Sequence, residues 1–131
     1  MQRRSMMMAA AAAGSPAAAV AARPLAIPPG AVAVLVTLAV RPGAEDAFLR
    51  LLHPVLDAMR AEPGFVSAAL HRDPADPARF LLHEIWADRQ DLVEVQMRRP
   101  YRAEYEAQLP ALLRRPRAAE VWAPLRADTG G

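Results

Sequence analysis

The residues best suited to chemistry lie close together in Phe80-Leu-Leu-His-Glu84-Ile-Trp86. Alternate side chains of an extended strand share a face, so Trp86, Glu84, Leu82 and Phe80 point one way and His83 the other. Glu84 is a carboxylate among apolar neighbours, and on a dry face such a group suits proton transfer. The alternative is a buried ion pair, for which Arg50, Arg98 and Arg102 are the candidate partners. Trp86 offers a ring face on which a flat aromatic substrate can stack. It reads equally as a core tryptophan, whose truncation to alanine costs about 3–5 kcal/mol.

Further polar groups extend this set. Histidine alone titrates near neutral pH without help, so His71 and His83 stand beside Glu84 as candidate bases. His53, His71 and His83 are too widely spaced to form a metal-ligand motif, and no metal site is expected. Gln96 follows Leu92 by one helical turn on an apolar stripe, where its amide needs a partner: a substrate oxygen or a backbone carbonyl. Tyr101 and Tyr105 are also one turn apart. Their hydroxyls can orient a phenol, or their rings can simply pack in the core with the tips at the surface.

These side chains need elements to position them. Val32 to Val40 is apolar on both faces and predicts a strand buried on both sides. Pro42-Gly43 breaks it. A helix is expected over Ala44–Ala61, with Glu45 and Asp46 in the first turn, where the dipole favours acids. Phe48, Leu51, Leu52, Val55, Leu56 and Met59 mark its buried stripe, and Pro54 predicts a kink. Strands follow over Phe65–Arg72 and Phe80–Trp86, separated by the turn Asp73-Pro-Ala-Asp-Pro77. Asp88 is a good N-cap for a second helical region, which Pro100 and Pro110 divide into two or three short helices. Ala119–Leu125 closes the series as a short strand. The order β-α-β-β-α-β predicts an α+β, ferredoxin-like fold with a four-stranded antiparallel sheet. Two helices cover one sheet face only. The other face is apolar as well, so a homodimer through that face is expected.

Three stretches together carry a resemblance. Arg41-Pro42-Gly43-Ala44-Glu45 leads into the helix with Phe48. Glu62-Pro63-Gly64-Phe65 joins helix to strand. Phe80-Leu-Leu-His-Glu84-Ile-Trp86-Ala-Asp88 precedes the helix with Leu92. In this order and spacing the chain resembles the antibiotic biosynthesis monooxygenase family over about residues 32–126. The resemblance implies a dimeric α+β barrel, with the Glu84/Trp86 face lining a cavity between sheet and helices. It also implies a cofactor-independent oxidation of a small electron-rich aromatic compound, of quinol or phenol type, by O2. By that resemblance Glu84, His83 or His71 takes the proton, and Trp86, Gln96, Tyr101 and Tyr105 position the ring. Related proteins carry a histidine in the helix after the Glu-x-Trp strand, and that position here is Val95 or Gln96. Haem-degrading members combine Asn, Trp and His, and this chain has no asparagine. The alternative within the same fold is a non-enzymatic dimeric module for a small ligand.

Composition bounds the remaining classes. All 16 basic residues are arginine, there is no cysteine, and the formal net charge is only +2. Cysteine-free chains have no disulfides or thiolate chemistry. A small net charge gives no strong pull on nucleic acid. Arg98-Arg99-Pro-Tyr-Arg102 and Arg114-Arg115-Pro-Arg117 are expected on a solvated helix face and at a helix end, and no nucleic-acid or membrane partner is expected. Residues 1–30 are rich in Ala, Met and Pro. Arg3-Arg4, an apolar stretch and small residues near Ala21 have the layout of a twin-arginine-like export signal. A disordered leader, an upstream start and a transit peptide are the competing readings. The expected division is a leader over 1–30, one domain over 31–126 and a flexible tail over 127–131. The expected location is the cytoplasm, with export as the alternative.

Overall fold

The computed structural model describes residues 23–130. The expectation of a signal or disordered leader around Arg3-Arg4 lies outside the described residues. The chain divides into two units, one of which spans Pro28–Pro124. In the other, β1 (Arg23–Leu25) pairs antiparallel with β6 (Ala127–Thr129), Arg23 opposite Thr129. These two short strands fall in segments assigned from sequence to the leader and the tail.

The larger unit opens with β2, Val32–Ala39, which the β-branched run predicts. Gly43, at φ 94°, makes the left-handed turn that follows, and its amide donates to Glu45 Oε1 at 2.7 Å. Helix α1, Glu45–Met59, buries Phe48, Leu52, Val55 and Met59, which recur at helical spacing. The helix continues through Pro54. Strand β3 is Phe65–Asp73 and β4 is Asp76–Trp86. The five-residue turn expected between them is tighter than that. Asp73 pairs with Asp76, which leaves only Pro74 and Ala75 to turn the chain. Asp73 Oδ1 accepts from the Ala75 amide at 2.8 Å and Asp76 Oδ1 from the Ala78 amide at 3.0 Å. Aspartate side chains that take up turn amides in this way let a strand begin earlier.

After β4, Asp88 caps α2 (Arg89–Glu94) by accepting from the Gln90 amide at 2.9 Å. Two 3-10 turns follow, Gln96–Arg98 and Pro100–Arg102. Helix α3 is Ala103–Leu112. Pro100 starts a turn, as expected, but Pro110 lies inside α3 rather than dividing it. Strand β5 is Ala118–Trp122, shorter than the expected Ala119–Leu125 and exposed along its length.

The sheet order is β3-β4-β2-β5, with every neighbouring pair antiparallel. This is the ferredoxin-like α+β arrangement. One core joins Leu38, Phe80, Leu82 and Trp86 of the sheet to Phe48, Leu52 and Met59 of α1 and to Leu92, Tyr105 and Leu109. No helix among the described residues is long and apolar enough to cross a membrane.

Candidate functional site

Strand β4 positions the centre of the site. Ala78, Phe80, Leu82, Glu84 and Trp86 are all buried, as alternation along one strand face requires. Glu84 is 7% exposed, and its Oε1 accepts from the Trp86 indole nitrogen at 2.7 Å. A short bond to an ionised acceptor is among the stronger protein hydrogen bonds, and it fixes the carboxylate's orientation. Glu84 is in none of the ion pairs found among the described residues, so the expected partners Arg50, Arg98 and Arg102 do not engage it.

Glu84 faces a cavity of about 150 Å3 between sheet and helices. Its apolar wall comes from Val34 and Val36 of β2, Leu52, Val55 and Met59 of α1, and Leu82 and Leu92. Its polar groups are Glu84, Arg102, Tyr105, Glu106 and Arg117. An apolar cavity of roughly this size holds a single benzene ring. Tyr105 is buried, and burial pushes its phenol up to about 12. Neighbouring Arg117 and Arg102 pull the value down, and Glu106 and Glu84 push it up. Tyr105 is therefore a neutral hydrogen-bonding group at ordinary pH.

Of the other residues predicted from sequence, Trp86 is fully buried but does not line the cavity. It meets the Phe65 ring edge-on at 5.5 Å and acts on the cavity through its bond to Glu84. Gln96 is 2% exposed and donates to Asp91 Oδ2 at 3.2 Å, while its Oε1 has no partner. Of the two positions matched to the family histidine, Gln96 is thus the interior one and Val95 is surface-exposed. Tyr101 donates to Glu62 Oε2 at 3.2 Å, outside the cavity wall. Burial and then the Glu62 charge raise its phenol above the usual value.

His83 and His71 lie on the opposite sheet face from Glu84. His83 pairs with Leu35 and Ala69, and His71 with Leu81, one alternation out of step with the Glu84 row. Neither histidine lines the cavity. No group of three or more metal-ligating side chains occurs among the described residues.

Sequence reasoning placed the arginines of 98–102 on a solvated face, and Arg102 corrects that. It is 6% exposed and lines the cavity. The signal was its spacing from Tyr105 and Leu109, which puts all three on one buried helical face. Arg117 lies beyond the end of α3, as expected, and is exposed, and it forms a two-pronged ion pair with Glu106 that holds its guanidinium above the usual value; both residues line the cavity.

Comparison with known proteins matches this architecture. The family model for antibiotic biosynthesis monooxygenase fits residues 31–103. A protein of Pestalotiopsis microspora, provisionally named a monooxygenase, is 32% identical over 96 residues, covering 72% of this chain and 80% of its own. The structure of Rv0793 from Mycobacterium tuberculosis is 35% identical, with a TM-score of 0.66 over 72% of this chain and 95% of that one. SnoaB, a cofactor-independent oxygenase from Streptomyces nogalater, shares the fold at 18% identity, with a TM-score of 0.63 over 72% of this chain and 93% of its own. The fold, the family model and the two relatives above 30% identity agree: the chain belongs to the antibiotic biosynthesis monooxygenase family.

Proposed function

We propose that the chain is a cofactor-independent monooxygenase that oxidises a small, electron-rich aromatic compound of quinol or phenol type with O2. The observation that carries this reading is a buried, unpaired Glu84 carboxylate facing a mainly apolar cavity of about 150 Å3. A quinol in that cavity loses a hydroxyl proton to Glu84. The electron-rich anion then passes electrons to O2 directly. One oxygen atom replaces a ring hydrogen, the other leaves as water, and the ring ends as a hydroxyquinone. The substrate itself supplies all the electrons. The protein supplies a base, a dry enclosure and orientation.

The residues divide the work. Trp86 holds one Glu84 oxygen at 2.7 Å, so the other is the proton acceptor. Tyr105, neutral and buried, offers its hydroxyl to a ring oxygen. His83 and His71, on the far sheet face, are replaced by Glu84 in the role of base. The test is oxygen uptake with single-ring hydroquinones. Wild-type protein consumes O2, and Glu84→Gln, which keeps the shape, is slower by about 100-fold or more, the usual range for a lost general base. Equal uptake by the two proteins removes Glu84 from the mechanism, and no uptake by either removes the oxygenase reading in favour of a ligand-binding module.

We further infer a homodimer through the outer sheet face. On that face Leu35, Thr37 and Leu81 are only partly buried, and Trp122 is 58% exposed at its edge. An apolar sheet face of this kind calls for a covering surface, and a second copy supplies one by symmetry.

A further inference from the structure

Arg102 lines the cavity, and the reaction outlined above does not use its chemistry. Its guanidinium is buried, and its Nε and Nη2 have no hydrogen-bond partner. It forms none of the ion pairs found among the described residues. The Tyr101 ring centroid lies 6.0 Å from the guanidinium carbon. Arginine cannot shed its charge in a protein, so burial leaves a cation short of acceptors. A buried donor without a partner is rare enough in folded proteins to need a reason.

The cavity supplies one. Glu84 and Arg102 line the same space without pairing, one a proton acceptor and the other a fork of N–H donors. We propose that Arg102 is an oxyanion-binding residue, and that the cavity takes an acidic ring hydroxyl as its anion, with the oxygen on Arg102 and the proton on Glu84. The charge balance favours a hydroxyl over a preformed carboxylate. Before binding the cavity holds Arg102 positive and Glu84 negative, beside the mutually neutralising pair of Arg117 and Glu106. After proton transfer it holds Arg102 positive, the ring oxygen negative and Glu84 neutral. The total is unchanged. A carboxylate ligand instead adds a second negative charge beside Glu84 in a site of low polarity, which is costly. The O–H bond of the ligand breaks, an O–H bond forms on Glu84, and no electrons leave the pair of groups. This rests on the cavity being the substrate site, as in the proposed function, but not on turnover.

The probe is 4-nitrophenol, whose anion is yellow and whose neutral form is not. Just below the phenol's own pKa in water, wild-type protein should raise the anion-to-phenol ratio of the bound dye by about 10- to 100-fold, the equivalent of a charge-assisted hydrogen bond. Arg102→Met, an apolar chain of similar length, should remove that rise while still binding toluene, followed by its shift of the unfolding temperature. Dye that binds wild-type protein with no gain in absorbance overturns the proposal. So does failure of the dye to bind, or a full gain retained in Arg102→Met. If Arg102→Met does not fold, the wild-type absorbance decides alone. A gain in colour without oxygen uptake sinks the oxygenase reading only, and uptake without the gain sinks this proposal only.

Discussion

Tyr105 shows how burial can dominate the behaviour of a side chain. Its phenol is pushed up to about 12 in the fold, against 10 in an open chain. The folded state therefore holds the proton more tightly than the unfolded state. The associated stability is fully present below pH 10 and is lost as pH rises through about 12. Wild-type protein should lose about 2–3 kcal/mol across that window from this group. Tyr105→Phe should lack that part of the decline, and parallel alkaline unfolding curves would refute the assignment. At this scale the sequence was partly legible. Alternation along β4 put Glu84 and Trp86 on the buried face, and helical spacing put Tyr105 inside. Alternation does not say how far along a face the open space extends, so Trp86 was read as a cavity wall when it packs on Phe65. Arg102 was named only as a candidate ion-pair partner of Glu84, and its run was placed on a solvated face, because arginine is so rarely buried that a run of arginines reads as surface.

At the scale of elements, the segment between α2 and α3 is held by one carboxylate. Glu62, just beyond the end of α1, accepts from Arg99 Nε at 2.8 Å, from Arg99 Nη2 at 3.3 Å and from the Tyr101 hydroxyl. The 3-10 turns that carry Gln96 and Arg102 are therefore tied to the helix opposite. Glu62→Ala should destabilise the fold by about 1–2 kcal/mol, because Arg99 is partly solvated and the pair is discounted accordingly. Amide exchange over residues 96–102 should speed up more than exchange in β2 or β4. Unchanged protection there would mean that the turns hold themselves. The periodic patterns announced every element of the larger unit, but the boundaries moved where side chains cap or turn the backbone. Asp73 and Asp76 let β4 start at Asp76 rather than Phe80. The pairing of β1 with β6 joins residues from opposite ends of the chain, a contact that no local pattern encodes.

At the scale of the whole molecule, a sheet with helices on one face and partly exposed Leu35 and Leu81 on the other predicts association. Light scattering after size exclusion should give a dimer at micromolar concentration. Leu35→Arg, in the middle of β2 and paired between His83 and Glu120, should give a folded monomer. A wild-type monomer would refute the sheet-face interface. The fold class and family were legible from element order and from three short motifs, because both depend on patterns that repeat along the chain. The cavity was expected only through the resemblance, and its extent and polar lining were not legible, because it is the space left between α1, α3 and the sheet once each has packed. Its boundary has one further property. Glu106 and Arg117 line both the buried cavity and the open groove beside Leu113 and Arg114. An ion pair from α3 to the residue just before β5 thus forms part of the border between the two spaces. Such a border parts more readily as salt rises, since ions screen the attraction across it. How long a guest stays would then depend on the ionic strength outside, even where the strength of its binding does not.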